Sequence, residues 1–326
     1  MPERVLITGA SGFSGRNLAR RLSNDDTLVF GLGRTRPMEP LPTGERQHWA
    51  EFHACDLTHR AVVERTIVEV QPTAVYHLAG LTRNDAPAER LQSANVDSLR
   101  HLIDSLRTYA TGRGRTIRML VVGSAAELGS AGAAKLPVGE DAPCEPQSDY
   151  GRSKLAATQL ALAEPIDGPL KIVVARTFNL VGPGLSAELS LGRFAEQIAA
   201  VLHGDAKHIE CGNLSTCRDY LDVRDAVALY VRLLRFGKPG ELYNVCGGRS
   251  YSVRERLQTM IDRTGQAIPI VERRDGRRTG DLADIYGDLT KTIACCGPLA
   301  TTPIKRSLVD LVDAAIARHG SRRRAA

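Results

Sequence analysis

The stretch RVLITGASGFSG, residues 4–15, decides how this chain is read. An apolar, β-branched run ends at Thr8. Gly9, Gly12 and Gly15 follow in a G-x-x-G-x-x-G spacing, and FSGRNLARRL (13–22) then reads as a helix. Strand, glycine-rich turn and helix in that order make a phosphate cradle. Glycines let backbone amides approach a pyrophosphate, and the helix N-terminus supplies partial positive charge. A plain tight turn would use the same glycines, so the following segments carry the decision.

Those segments alternate. TLVFGLG (27–33), AVYHLAG (74–80), IRMLVVGS (117–124) and KIVVARTFNL (171–180) read as strands. Helices are expected near 59–70, near 87–109 and from about 150; in the second of these, Leu91, Leu99, Leu102, Ile103 and Leu106 recur at three- and four-residue steps. This alternation predicts an α/β fold, a Rossmann-type doubly wound parallel sheet with helices on both faces. After about 180 the pattern loosens. VGPGLSAELS is a Gly/Pro-rich loop, LGRFAEQIAAVLHG (191–204) a helix and HIECGN a short strand. VRDAVALYVRLLRF (223–236) and ELYNVCG (241–247) again suit the large sheet. The expected division is a dinucleotide-binding domain over 1–180 plus about 219–247, a smaller C-terminal α/β substrate domain over 181–218 and 248–318, and a disordered tail at 319–326.

Composition narrows the class. The 326 residues are 43% hydrophobic and 25% charged, which suits a chain with a sizeable core. The net charge of +6 is spread along the chain, with dense runs at ERRDGRR (272–278) and SRRRAA (321–326), and aromatics are only 5%. A nucleic-acid binder concentrates charge on one face, so no such partner is expected. No apolar run is long enough to span a membrane. The seven cysteines, Cys55, Cys144, Cys211, Cys217, Cys246, Cys295 and Cys296, include no C-x-x-C pair. Reduced thiols, a cytoplasmic location and no metal follow as expectations.

The second strand ends in GLGRTR (31–36), with Arg34 and Arg36 and no acid. A carboxylate there would accept from ribose hydroxyls, whereas a guanidinium pairs with a 2′-phosphate, so NADP (NADPH) is expected, with NAD as the alternative. Asp56, in CDLT (55–58), is placed either to reach the adenine edge or to cap the following helix. Ser124 ends an apolar strand where a ligand crevice opens. Tyr150 and Lys154, in SDYGRSK (148–154), lie four residues apart and so on one helix face. In that reading Lys154 lowers the pKa of Tyr150, whose ordinary value is about 10.

TGASGFSG, DL (56–57), HLAG (77–80), GSAAELG (123–129), YGRSK, RTFNLVGPG (176–184), CRDYLDVRDAV (217–227) and ELYNVCGG together resemble the extended short-chain dehydrogenase/reductases, the NAD(P)-dependent nucleotide-sugar epimerase/dehydratase family. Within it, FAEQIAAVLHG and the segments after it look most like the GDP-4-keto-6-deoxymannose reductases and related 4-ketoreductases. The resemblance implies a catalytic set of Ser124, Tyr150 and Lys154. It implies cofactor contacts from Gly9, Ser11, Gly12, Phe13, Ser14, Gly15, Arg34, Asp56, Leu57, Leu78, Ala79, Gly80, Asn95, Tyr150 and Lys154. It assigns Asn179, Arg218 and Arg278 to the nucleotide-diphosphate sugar, and it implies a homodimer. Leu128 stands where the family often has Tyr, and Thr279 where a Pro commonly follows the arginine.

Dehydratases of the family place acids just after the catalytic hydroxyl. Here those positions are Ala125 and Ala126, and Glu127, if the segment were extended, would face away from Ala126. Dehydration is therefore disfavoured. The expected activity is NADPH-dependent reduction of the 4-keto group of a GDP- or dTDP-linked 4-keto-6-deoxyhexose, in deoxysugar biosynthesis. The alternatives are an NAD-dependent 4-epimerase and a non-catalytic dinucleotide-binding regulator.

Overall fold

The structure is a computed structural model that describes residues 2–23, 27–37, 48–82, 86–132, 134–273 and 282–325. In chain order its elements are β1 (Glu3–Thr8), α1 (Phe13–Leu22), β2 (Thr27–Gly33), β3 (Glu51–Ala54), α2 (Arg60–Val70), β4 (Ala74–His77), α3 (Ala88–Gln92), α4 (Ser98–Gly112), β5 (Ile117–Ser124), α5 (Gly129–Gly132), α6 (Asp149–Leu162), β6 (Leu170–Thr177), β7 (Asn179–Val181), α7 (Ser190–Leu202), β8 (Ile209–Cys211), β9 (Cys217–Asp222), α8 (Val223–Phe236), β10 (Leu242–Val245), β11 (Ser250–Ser252), α9 (Val253–Asp262), β12 (Ile270–Glu272), α10 (Thr290–Cys296) and α11 (Ile304–Ala325). Seven strands form one sheet in the order β10-β6-β5-β4-β1-β2-β3, and every pairing in it is parallel.

The chain winds outward in both directions from β1. The strand order therefore reverses between β1 and β4, which opens a crevice at their carboxyl ends. One face of the sheet packs on α2, α4 and α6 through residues such as Val63, Leu99, Leu102 and Ala157. The other packs on α1 and α8 through Leu18, Val227, Tyr230 and Leu233. The middle of β6, residues 172–175, is buried and continuously apolar for that reason.

A separate core joins α7, α9 and α11 around Phe194, Ile198, Leu257, Leu308 and Leu311. Beside it, β9 pairs in parallel with β7 and antiparallel with β11. The boundary expected at 219 therefore falls inside β9. Strand partners are set by register across the fold, which local sequence does not display. The tail is a second correction. Residues 319–325 continue α11, which packs along α7: Arg318 pairs with Glu196 at 2.7 Å, and His319 with Asp205, just beyond α7, at 2.6 Å.

The helix expected near 87–109 is likewise interrupted. A π-helical turn at Ser93–Asp97 separates α3 from α4. The extra residue in such a turn re-aims a side chain, and here Asn95 points inward from it. Its carboxamide takes the Leu81 N–H at 2.7 Å and donates to the Leu81 carbonyl at 3.1 Å and to Ser153 at 2.9 Å.

Candidate active site

The glycine turn sits at the mouth of the crevice. Gly9 has φ +68°, and a Cβ there would lie 2.8 Å from the Ala79 amide nitrogen. The turn is thus pressed onto the end of β4, where Leu78 and Ala79 are half-buried and Gly80 is exposed. A Cβ on Gly15 would collide with the Gly9 carbonyl, so the helix starts directly against the turn. Gly12 is the N-cap of α1, no side chain caps that end, and no acid lies in the first turn. Ser11, Phe13 and Ser14 flank it, each partly accessible. Amides left open at a helix start, with room for a ligand to reach the backbone, suit a pyrophosphate. By this test the residues fit an NAD(P) cofactor.

Arg34 follows β2 and is exposed. Asp56 accepts from the Thr58 amide at 3.0 Å and the Thr58 hydroxyl at 2.8 Å. Those bonds, with smaller help from His59 and Arg34, hold its carboxyl below the usual carboxylate value. These bonds close a turn before α2; the helix itself is N-capped by His59 with no side-chain cap, so Asp56 does not cap it. Leu57 is buried beneath it.

Ser124, Tyr150 and Lys154 come together at the end of β5. Ser124 caps a 3-10 turn over Ala125–Glu127 and accepts the Ala126 N–H at 3.2 Å. Tyr150 lies in the first turn of α6, which Ser148 caps by accepting the Gly151 N–H at 3.0 Å. Its phenol lies by the Ser124 side chain, which pulls its pKa down. One turn on, Lys154 donates from Nζ to the Val122 carbonyl at 2.7 Å. Burial pushes the Tyr150 phenol above its ordinary value, outweighing the pull of Ser124, and Glu127 adds to the rise. Burial also lowers Lys154, against an opposing pull from Glu127. The expectation that Lys154 depresses Tyr150 is therefore not met. The ammonium is bonded to β5 and desolvation dominates the phenol.

Sequence reasoning missed the support beneath this set. The segment after Ser124 is a 3-10 turn rather than extended chain. Glu127 therefore folds back under Ser124, where it is fully buried. The capping-box spacing from Ser124 to Glu127 was the signal that could have revealed it. Thr158, Arg176 and Asp219 are the other residues missed; each is buried and each bonds a neighbour of the site.

Asn179 and Arg218 lie on the small sheet, at the starts of β7 and β9. Asn179 donates to the Asp219 carbonyl at 2.9 Å. Arg218 donates from one nitrogen to the Cys217 and Leu282 carbonyls, each at 2.7 Å. The Asp219 carboxylate beside it is held by the amides of Gly247, Gly248 and Gly287. Arg278 lies outside the described residues.

Residues 5–246 match the profile of the NAD dependent epimerase/dehydratase family. The chain belongs to that family. It is 31% identical to the GDP-6-deoxy-D-mannose reductase of Pseudomonas aeruginosa, over 94% of this chain and 95% of the relative. It is 29% identical to the dTDP-6-deoxy-L-talose 4-dehydrogenase (NAD(P)(+)) of Kitasatospora kifunensis, over 83% of this chain and 82% of that one. Among solved structures, RMD from Pseudomonas aeruginosa complexed with NADPH superposes with a TM-score of 0.81 at 29% identity, covering 98% of this chain and 99% of that one. The enzymes of the family are NAD(P)-dependent, and this chain is one of them.

Proposed function

We propose that this enzyme reduces the 4-keto group of a nucleotide-diphosphate 4-keto-6-deoxyhexose with NADPH. The observation that carries the reading is the Ser124–Tyr150–Lys154 set at the crevice, followed by Ala125 and Ala126 rather than by acids. Similarity to a reductase and to a 4-dehydrogenase of GDP- and dTDP-linked 6-deoxysugars supports the substrate class. When bound, NADPH supplies the hydride for the keto carbon. The chain's own residues deal with the oxygen. The Ser124 hydroxyl, whose oxygen already accepts from Ala126, directs its hydrogen to the carbonyl. Tyr150, an ordinary phenol whose pKa of about 10 is raised further by burial, holds the proton that converts the oxygen to an alcohol. Lys154 holds the other side of the phenol's surroundings, anchored to Val122. A homodimer in a reducing cytoplasm belongs to the same reading, supported by family membership and by seven free cysteines.

The test is a panel of GDP- and dTDP-linked 4-keto-6-deoxyhexoses, with NADPH absorbance loss and product NMR. Stoichiometric NADPH consumption with one 6-deoxyhexose product is the expected result. A purified protein that carries NAD and interconverts 4-epimers without consuming NADPH would make it an epimerase instead.

Cofactor choice is expected to follow Arg34. Arg34→Asp removes a partner for the 2′-phosphate and adds repulsion. The Michaelis constant for NADPH should rise about tenfold or more, with that for NADH little changed; equal use of both cofactors by the native enzyme would contradict this.

Substrate affinity is expected to follow Arg218. A guanidinium pinned by two backbone carbonyls is a fixed cation suited to a diphosphate. Arg218→Ala should raise the Michaelis constant for the sugar nucleotide about tenfold and leave that for NADPH within about twofold. Unchanged sugar-nucleotide affinity would remove Arg218 from the site.

A further inference from the structure

We propose that Glu127 is a positioning residue for this reduction: from beneath the end of β5 it fixes the Ser124 amide and adds a negative charge that opposes ionisation of Tyr150. The proposal rests on the reading of Tyr150 as the proton donor.

The geometry is a carboxylate built into the floor of the site. Glu127 Oε1 accepts the Ser124 amide at 2.7 Å and the Thr158 hydroxyl at 3.0 Å. Oε2 lies 3.5 Å from Arg176 Nε. The strand makes room for it, since a Cβ on Gly123 would come within 2.8 Å of Oε1. Arg176 is itself buried, donating to the Glu140 carbonyl at 3.1 Å and to Cys144 Sγ at 3.3 Å. A long, fully desolvated ion pair is a weak source of stability, and an apolar pair of similar volume is often as good. Burial raises the Glu127 carboxyl, and Arg176, the Ser124 amide, Lys154 and Thr158 pull it back down; as a carboxylate it does what no apolar residue would do, bonding the catalytic serine's amide and projecting charge.

The groups around Tyr150 decide the sign. His77, from β4, is neutral, its pKa lowered to about 3 by burial and by Lys154. Tyr230, from α8, bonds Thr177 at 2.8 Å and stays protonated. Burial raises the Cys144 thiol, so it too is uncharged near neutrality. The charge that acts on Tyr150 is therefore that of Glu127, which opposes the phenolate. Removing the Glu127 charge removes that opposition, so the Tyr150 pKa should fall. A phenol that ionises earlier is a poorer acid in the alkaline range.

The test compares Glu127→Gln and Glu127→Asp with the native enzyme. The protein is labelled at tyrosine Cζ, and Tyr150→Phe identifies the resonance. In E127Q the Tyr150 resonance should titrate about one unit lower, and the alkaline limb of the kcat profile should move down with it. E127D keeps the charge but withdraws the acceptor from the Ser124 amide. It should lower kcat about tenfold with the alkaline limb unmoved and the Michaelis constant within about twofold. E127Q with a native Tyr150 titration and a native limb, or E127D with native kcat, would reduce Glu127 to a structural ion pair and overturn the proposal. A lowered melting temperature alone in either variant counts as that outcome. If Tyr150→Phe keeps native turnover, the reading of Tyr150 fails first; if it is inactive while the Glu127 variants behave as native, only the positioning role falls.

Discussion

Replacing Tyr150 by Phe is expected to cut turnover by about 100-fold or more while leaving the fold and NADPH binding intact. The substitution removes one hydroxyl. The ring keeps its place in the first turn of α6, and the Ser148 cap on the Gly151 amide does not involve it. What is lost is the phenolic proton beside Ser124, which an alcohol product needs. Turnover by NADPH absorbance, NADPH affinity by fluorescence and fold by circular dichroism are the measurements. Near-native turnover in the Phe variant would show that the proton comes from elsewhere.

Asp219→Ala is expected to lose about 3 kcal/mol or more of stability, seen as a melting temperature lower by about 5 °C or more. The carboxylate is fully buried. It takes the Gly247 amide at 2.5 Å, the Gly248 amide at 3.0 Å and the Gly287 amide at 3.2 Å. Burial pushes its pKa up to about 6, and the three donors hold it from rising further. Alanine leaves three amides without their acceptor, at about 1–3 kcal/mol each when they stay buried. Asp219→Asn, which keeps one oxygen, should fall between. These bonds also tie the end of β10 and the segment reaching Gly287 to β9, so the small sheet that carries Arg218 should loosen first. Sugar-nucleotide affinity should therefore drop more than NADPH affinity. A melt of D219A within about a degree of the native one would show that water or a backbone shift satisfies the amides.

Local chemistry made the first half of the molecule legible. Gly9, Gly12 and Gly15 need no partner to be read, because a turn between strand and helix depends on residues adjacent in sequence. α1 (Phe13–Leu22), β2 (Thr27–Gly33) and β5 (Ile117–Ser124) have the ends that their apolar runs predict. The four-residue step from Tyr150 to Lys154 is likewise a property of one helix. Ser124 was legible as a strand end opening on the crevice, since parallel strand order puts carboxyl ends together.

What sequence left dark depended on groups distant in the chain. The division expected at about 219 crosses β9, because the pairing of that strand with β7 and β11 is a matter of register across the fold. α11 runs to Ala325, and its later part pairs with Glu196 of α7 and with Asp205 just beyond that helix, more than 110 residues earlier. Lys154 was expected to act on Tyr150, yet its partner, the Val122 carbonyl, lies 32 residues earlier, and burial, which no window of sequence reports, governs both pKa values. Glu127 is the sharpest case. Its identity was plain, but whether it faced solvent or the site turned on one 3-10 turn and on Thr158 and Arg176, 31 and 49 residues away. The sequence by itself determined the fold class, the glycine turn and the candidate trio of Ser124, Tyr150 and Lys154, because these follow from short-range backbone geometry. Only the tertiary structure decided the charges that act on that trio, because desolvation and Coulomb interactions depend on distance in space and not along the chain.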